Sequence, residues 1–139
     1  MSDECIFCGI VAGRVPSTNV YEDDHVVAFL DIGPIVKGHT LVIPRDHYES
    51  IMELPTDSLQ AVVSVVQTVA KAQIRGLGCD GVNVTQANGA CAGQVVPHIH
   101  FHVIPRYESD GHSWNWRHLQ YGDSSEMAAL AEKIRDGLD

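Results

Sequence analysis

The sequence has 139 residues, 45% of them hydrophobic and 19% charged, with a formal net charge of −9. These proportions predict one ordinary globular domain over residues 1–139 with a real core, and the acidic balance excludes a general nucleic-acid binder, which needs a basic surface to displace phosphate counterions. The longest apolar runs, VVAFL and AVVSVVQTVA, fall far short of the ~18 residues a bilayer span requires, and the N-terminus MSDECIFCGI lacks a basic region followed by an apolar stretch, so a soluble, cytoplasmic protein without membrane contact is expected.

Residues 4–12 are short and mostly apolar and end at Gly13, which predicts a single helical piece. TNVYED, HVVAFLDI and HTLVIPR follow, rich in branched and aromatic residues and separated by turn signals, and predict three strands. PTDSLQAVVSVVQTVAKAQIRGLG predicts the longest helix, capped by Thr56 or Asp57, with Gln60 completing a capping box and Gly76 and Gly78 at its end. Its core face is predicted as Leu59, Val62, Val63, Val66, Val69, Ala70 and Gln73. GVNVTQAN and PHIHFHVIP alternate as two more strands around the glycine-rich loop NGACAG. DSSEMAALAEKIRDGL predicts a last helix, with a capping box from Asp123 to Glu126, an apolar set of Met127, Leu130, Ala131 and Ile134, and Gly137 at its end. Strands and helices in this mixed order, with hairpin-length connections, favour an α+β domain on an antiparallel sheet.

The chemistry concentrates in HIHFHVI, where His98, His100 and His102 recur at every second position. On a strand they share one face, a surface or cleft, while Ile99, Phe101 and Val103 turn to the core. Alternate residues lie roughly 6.6 Å apart and the outer pair roughly 13 Å, so one ion with bonds of about 2 Å cannot hold all three. Four cysteines without an export signal point to metal binding or buried thiols, and Cys5 and Cys8 form a C-x-x-C pair. With His98, and with His47 in IPRDHY, they make a candidate structural zinc set; the alternative is two buried thiols and two surface histidines. His100, mid-strand, is a candidate nucleophile toward phosphorus, since imidazole with a pKa of about 6.5 is largely unprotonated at neutral pH. One ring nitrogen attacks while the other donates to a fixed acceptor, and His102 on the same face can donate to a phosphoryl oxygen. Gly89 and Gly93 place backbone N–H groups where they can approach an anion; alone they would equally serve a tight turn.

HIHFHVI, with its flanking NG, AGQ and PR and the upstream LDIGPIVKGHTLVIPRDHY, resembles the histidine triad superfamily over residues 5–106, leaving residues 107–139 as a tail with a helix. The resemblance implies that fold and a nucleotidyl hydrolase or transferase acting on nucleoside monophosphate derivatives. His100 would attack the α-phosphorus and His102 would contact the phosphate, with His39 supporting the site. Asp31 would bind the ribose hydroxyls, Ile32 would contribute to the base pocket, and Gly93, Gln94, Val95 and Val96 would form the phosphate-binding turn. The C-x-x-C resembles the Hint-like bacterial branch, in which zinc is held by the equivalents of Cys5, Cys8, His47 and His98. The implied partners are a purine nucleotide of the AMP or GMP type and a second copy in a symmetric dimer. Two departures stand out: Ala87 and Val95 replace polar residues, which puts side-chain contacts to the phosphate or leaving group in doubt, with Gln86 and Asn88 as the candidate substitutes. Trp114 and Trp116 are either packing residues or a cover for a ligand across a subunit boundary, and His25, His112 and His118 are read as spectators. A dinucleoside polyphosphate hydrolase of the fragile-histidine-triad type and a nucleotide-binding regulatory module are the alternative functions.

Overall fold

A computed structural model describes residues 4–113 and 116–138. The elements run α1 (Ile6–Val11), β1 (Asn19–Glu22), β2 (Val26–Leu30), β3 (Thr40–Pro44), α2 (Thr56–Leu77), β4 (Gly81–Gln86), a 3-10 turn (Ala90–Ala92), β5 (Phe101–Arg106) and α3 (Ser124–Asp136). The five strands form one antiparallel sheet in the order β1-β2-β3-β5-β4, the α+β architecture expected.

Strand alternation sorts the side chains onto two covered faces. Val26, Ala28, Val42, Phe101 and Val103 pack with Ile99 against α2. Val27, Phe29, Leu41 and Ile43 face the other way, against Cys5, Phe7 and Cys8 of the α1 region. Burial on both sides explains why VVAF in β2 reads as a continuous apolar run rather than an alternating one.

The buried stripe of α2 is Val62, Val65, Val66, Val69 and Gln73. Val65 takes the place predicted for Val63, which is exposed, because the series 62, 65, 66, 69, 73 follows the helical repeat more closely. The predicted side-chain cap is absent. Pro55 precedes the helix, its carbonyl accepts from Leu59 N–H, and Asp57 lies in the first turn, where its charge favours the helix N-terminus. Gly78 ends the helix in the left-handed conformation at φ 68°. In α3, Asp123 caps by accepting from Glu126 N–H at 2.9 Å, while the Glu126 carboxylate reaches Gly122 N–H instead of the cap residue's own. Gly137 stays right-handed, and no residue of α3 is buried.

Gln73 fastens α2 to the sheet, its Nε2 donating to Gly38 O at 3.1 Å and Val103 O at 3.0 Å. Gly38 itself has φ 101°, and a Cβ there would lie 2.7 Å from a Leu77 methyl and 3.3 Å from Pro105. Gly38→Ala is expected to cost about 2 kcal/mol, chiefly from the backbone conformation because Leu77 can move aside, and a lowered urea midpoint at unchanged slope is the measurement.

The histidine segment departs from the sequence expectation. β5 starts at Phe101, so His98 and His100 lie before the ladder. Backbone bonding there goes elsewhere: Ile99 N–H donates to Tyr48 O at 2.7 Å, and His98 O accepts from the His100 ring at 2.8 Å. Nor do these two line an open surface: His98 is 0% and His100 8% exposed beneath α1. Ile99, Phe101 and Val103 do face the α2 core as read. Among the described residues no helix is long and apolar enough to cross a membrane.

Candidate active site and metal centre

Cys5, Cys8, His47 and His98 converge, their ligating atoms all within 4.8 Å of one another. Cys5 is the N-cap of α1, its Sγ accepting from Cys8 N–H at 3.4 Å, so the short helix sets both thiols side by side. His47 follows β3, and His98 precedes β5. Between ligating atoms, His47 Nδ1 to His98 Nδ1 is 3.2 Å, Cys8 Sγ to His47 Nδ1 3.4 Å, and the two sulfurs to His98 Nδ1 3.5 and 3.6 Å. A tetrahedral zinc with bonds of about 2.05 Å to nitrogen and 2.3 Å to sulfur requires edges of about 3.3 and 3.6 Å, so the four side chains fit the ion. His98 Nε2–H donates to Pro44 O at 2.9 Å, which turns the Nδ1 lone pair into the cluster. Burial lowers the His98 pKa to about 4 and keeps the ring neutral, the form that binds metal.

On the far side of His98 the remaining histidines form a second unit. The His100 Nδ1–H donates to His98 O at 2.8 Å, which assigns the lone pair to Nε2. Ile35 N–H donates to His39 Nδ1 at 3.1 Å, so the His39 proton resides on Nε2 and is donated to His102 Nδ1 at 2.9 Å. His102 must then carry its own proton on Nε2 as an outward donor. The His100 and His102 ring centres are 4.9 Å apart.

Burial lowers the pKa of His39, and burial followed by the His100 and His39 charges lowers that of His102 to about 4, so both are neutral near pH 7. Asp31 Oδ2 lies 3.7 Å from His39 Nε2. The ligating atoms of Asp31, His39 and His102 also gather within 4.8 Å, but the proton on His39 Nε2 points at His102 and occupies the space a cation would need. This cluster is a hydrogen-bond chain.

Because these histidines bind protons more weakly folded than unfolded, the unfolded chain holds more protons between about pH 6.5 and about pH 4. Stability is therefore expected to fall as pH drops through that window. His102→Gln should flatten the slope of unfolding free energy against pH, and taking the difference between the two proteins removes the part due to acid release of metal.

A cavity of about 340 Å³ opens in front of His100 and His102. Ile6, Phe7 and Ile10 of α1, with Phe29 and Leu41, make its apolar side, while Asp31, Gly93, Val95 and Val96 line the rest. No Lys or Arg is among the lining residues. Ile32 borders the cavity and is 99% exposed, which places it at the rim. Val95 is 89% exposed at the mouth.

The loop before β5 is held by its own side chains. Gln94 Oε1 accepts from Gly89 N–H at 2.8 Å, and Gln94 Nε2 donates to Glu49 O at 2.7 Å and Val96 O at 3.0 Å. Asn88 Oδ1 accepts from Ile51 N–H at 2.7 Å, and its amide pairs with Gln86. Asn88 and Gln94, expected to contact a nucleotide, thus have their side chains engaged within the protein. Gly89 and Gly93, at φ 93° and 101°, shape the turn, and the N–H groups of Val95 and Val96 have no acceptor among the described residues. Trp114 lies outside the described residues; Trp116 is exposed and lines a separate hollow beside Arg106.

Sequence reasoning missed the wall formed by α1. Its signal was the apolar run IFCGI that follows Cys5 and contains Cys8, but six residues do not reveal which face a helix presents. Within that wall the Phe7 ring meets that of His100 edge-on at 5.1 Å.

The sequence profile of the HIT domain matches residues 12–109. The adenosine 5'-monophosphoramidase of Schizosaccharomyces pombe is 40% identical over 131 residues, 94% of this chain and 95% of that protein. The crystal structure of a HIT family member from Bacillus subtilis is 39% identical and superposes with a TM-score of 0.92 over 99% of each chain. A zinc-bound histidine triad family protein from Mycobacterium smegmatis is 36% identical, with a TM-score of 0.76 over 96% of this chain and 97% of that one.

Proposed function

This chain belongs to the HIT domain family, and from that premise we propose that it is a nucleotidyl hydrolase or transferase cleaving nucleoside 5'-monophosphate derivatives, purine nucleoside phosphoramidates above all. The observation that carries this reading is the pair of assigned tautomers: a lone pair on His100 Nε2 beside a proton on His102 Nε2, both at one end of a cavity with an apolar wall.

In this mechanism the purine lies against α1, Phe29 and Leu41, and Asp31 accepts from the ribose hydroxyls. The phosphate meets the free N–H groups of Val95 and Val96, with Gly93 shaping the turn. His100 Nε2 attacks the α-phosphorus, the phosphorus–nitrogen bond breaks, and the amine departs with a proton from solvent. Water then cleaves the phosphorus–histidine bond, releasing the nucleoside monophosphate and restoring His100. The neutral His102 donates its Nε2 proton as a hydrogen bond to a phosphoryl oxygen, where charge develops in both steps. His39 positions His102. Asn88 and Gln94 act by bracing the turn, and Ile32 contributes at the rim.

The four-ligand cluster would hold a structural zinc, supported by its tetrahedral spacing and by the zinc-bound relative. With all four positions taken by protein side chains, zinc there would tie α1 to the segments carrying His47 and His98 and would supply no group to the reaction. A homodimer of one-domain chains is the proposed assembly, supported by the unpaired edge of β4 and the uncovered apolar residues of α3.

The phosphoramidase relative and the lack of Lys and Arg among the described residues that line the cavity favour a leaving group without further phosphates, since none of those residues would balance their charge. Adenosine and guanosine phosphoramidates should have higher kcat/KM than diadenosine polyphosphates. Preference for the polyphosphates would overturn the assignment in favour of the dinucleoside hydrolase.

A further inference from the structure

The metal cluster and the cavity share a single short helix. Cys5 caps α1 and Cys8 lies within it, and Phe7 between them is buried against both histidine units. Its ring meets His98 edge-on at 5.8 Å and 76°, and His100 at 5.1 Å and 84°. The same residue, with Ile6 and Ile10, walls the cavity. A helix of six residues is too short to persist in water by itself, so its position depends on what docks it. Two things do: the packing of Phe7 edge-on to Phe29 at 5.5 Å, with Leu41 and Ile43 in the same cluster, and the ligation offered by its two thiols.

We propose that Phe7 is a positioning residue through which the metal site and the nucleotide pocket are coupled. Ligation of Cys5 and Cys8 fixes α1, and α1 holds the Phe7 ring edge against His100 and completes the apolar wall. The coupling runs in both directions, because a nucleotide that binds more tightly when α1 is docked must raise the metal affinity by the same factor. The inference rests on the zinc and nucleotide readings given above and adds a link between them that neither requires. A closed metal site that merely stiffened the whole fold would affect every part of the molecule alike, whereas this route passes through α1, with Phe7 as its contact to both histidine units.

The test is the zinc affinity of the full chain, measured by equilibrium competition against a chromogenic chelator with and without saturating AMP. In the unaltered protein AMP is expected to tighten zinc binding by about 5-fold or more, within the usual range of coupling between sites. Zinc-stripped protein should bind AMP more weakly by the same factor in a calorimetric titration. Phe7→Leu keeps an apolar side chain and all four ligands but offers no ring edge, and should bind one zinc with the AMP effect reduced below about 2-fold. Gly38→Ala, which weakens the fold away from α1, should keep the full effect; if both variants lose it equally, the coupling is global and the role of Phe7 is overturned. Zinc and AMP both binding, each indifferent to the other, overturns this proposal alone. Absence of stoichiometric zinc overturns the metal reading and this proposal with it.

Discussion

His100→Ala is expected to lower single-turnover hydrolysis of an adenosine phosphoramidate by about 10⁴- to 10⁶-fold, the scale on which removal of a covalent nucleophile acts. The size of the effect follows from the lack of a substitute. His98 points its one lone pair into the metal cluster and spends its other nitrogen on Pro44 O. His102 has its Nδ1 lone pair occupied by His39 and its Nε2 protonated. His100 alone pairs a free lone pair with a fixed donor on the opposite nitrogen, and its burial keeps that orientation from being lost to water. His102→Ala, which offers no donor, should cost roughly 10²- to 10³-fold, as removal of one charge-stabilising hydrogen bond does. An acid-labile nucleotidyl adduct should be trapped from the unaltered protein with a radiolabelled substrate and be absent from His100→Ala. Turnover in His100→Ala within tenfold of the unaltered protein would remove His100 from the mechanism.

The shared face of the three histidines was legible because alternation is a strong signal: Ile99, Phe101 and Val103 do face the α2 core, and the histidines do face away from it. What the pattern could not show is that this other face is itself covered, since a nearly closed site and an open strand surface have the same sequence period. The start of β5 was missed for a related reason. The His100 ring bonds the His98 carbonyl, and Tyr48 takes the Ile99 N–H, so side-chain and distant backbone partners displace the ladder at positions whose side chains still alternate. Gln94 and Asn88 show a different limit. An amide near a ligand loop has the chemistry to touch the ligand or to brace the loop, and only the fold decides; here both brace it. The C-x-x-C pair fixed only half of the metal set, since its partners lie 39 and more residues away and meet it only through the β3 and β5 segments.

Those distant partners give the second large effect. Cys8→Ala is expected to reduce bound zinc below about 0.1 equivalent and to lower stability by about 4 kcal/mol or more, a fall of some 10 to 20 °C in Tm for a chain of this size. Structural zinc in isolated small domains contributes roughly 10 to 16 kcal/mol of apparent binding energy, and a protein with two apolar clusters of its own should depend on the ion less completely. The expected loss is nevertheless large because one ion would join residues 5 and 8 to residues 47 and 98, closing chain segments that the sheet brings near but that α1 is too short to secure. Removing one ligand would also leave the other thiol and His98 buried, and His47 half-buried, without the cation that their geometry would serve. Cysteine chemistry in general can be separated from metal binding by the other two thiols. Cys91→Ala, at an exposed position, should change neither zinc content nor Tm, and Cys79→Ala, buried outside the cluster, should keep its zinc while losing only a packing contribution. A strong chelator gives the decisive comparison: it should lower the Tm of the unaltered protein toward that of Cys8→Ala and leave Cys8→Ala where it is. Equal melting of the two proteins before any chelator is added would mean that the fold does not depend on an ion held by these four side chains.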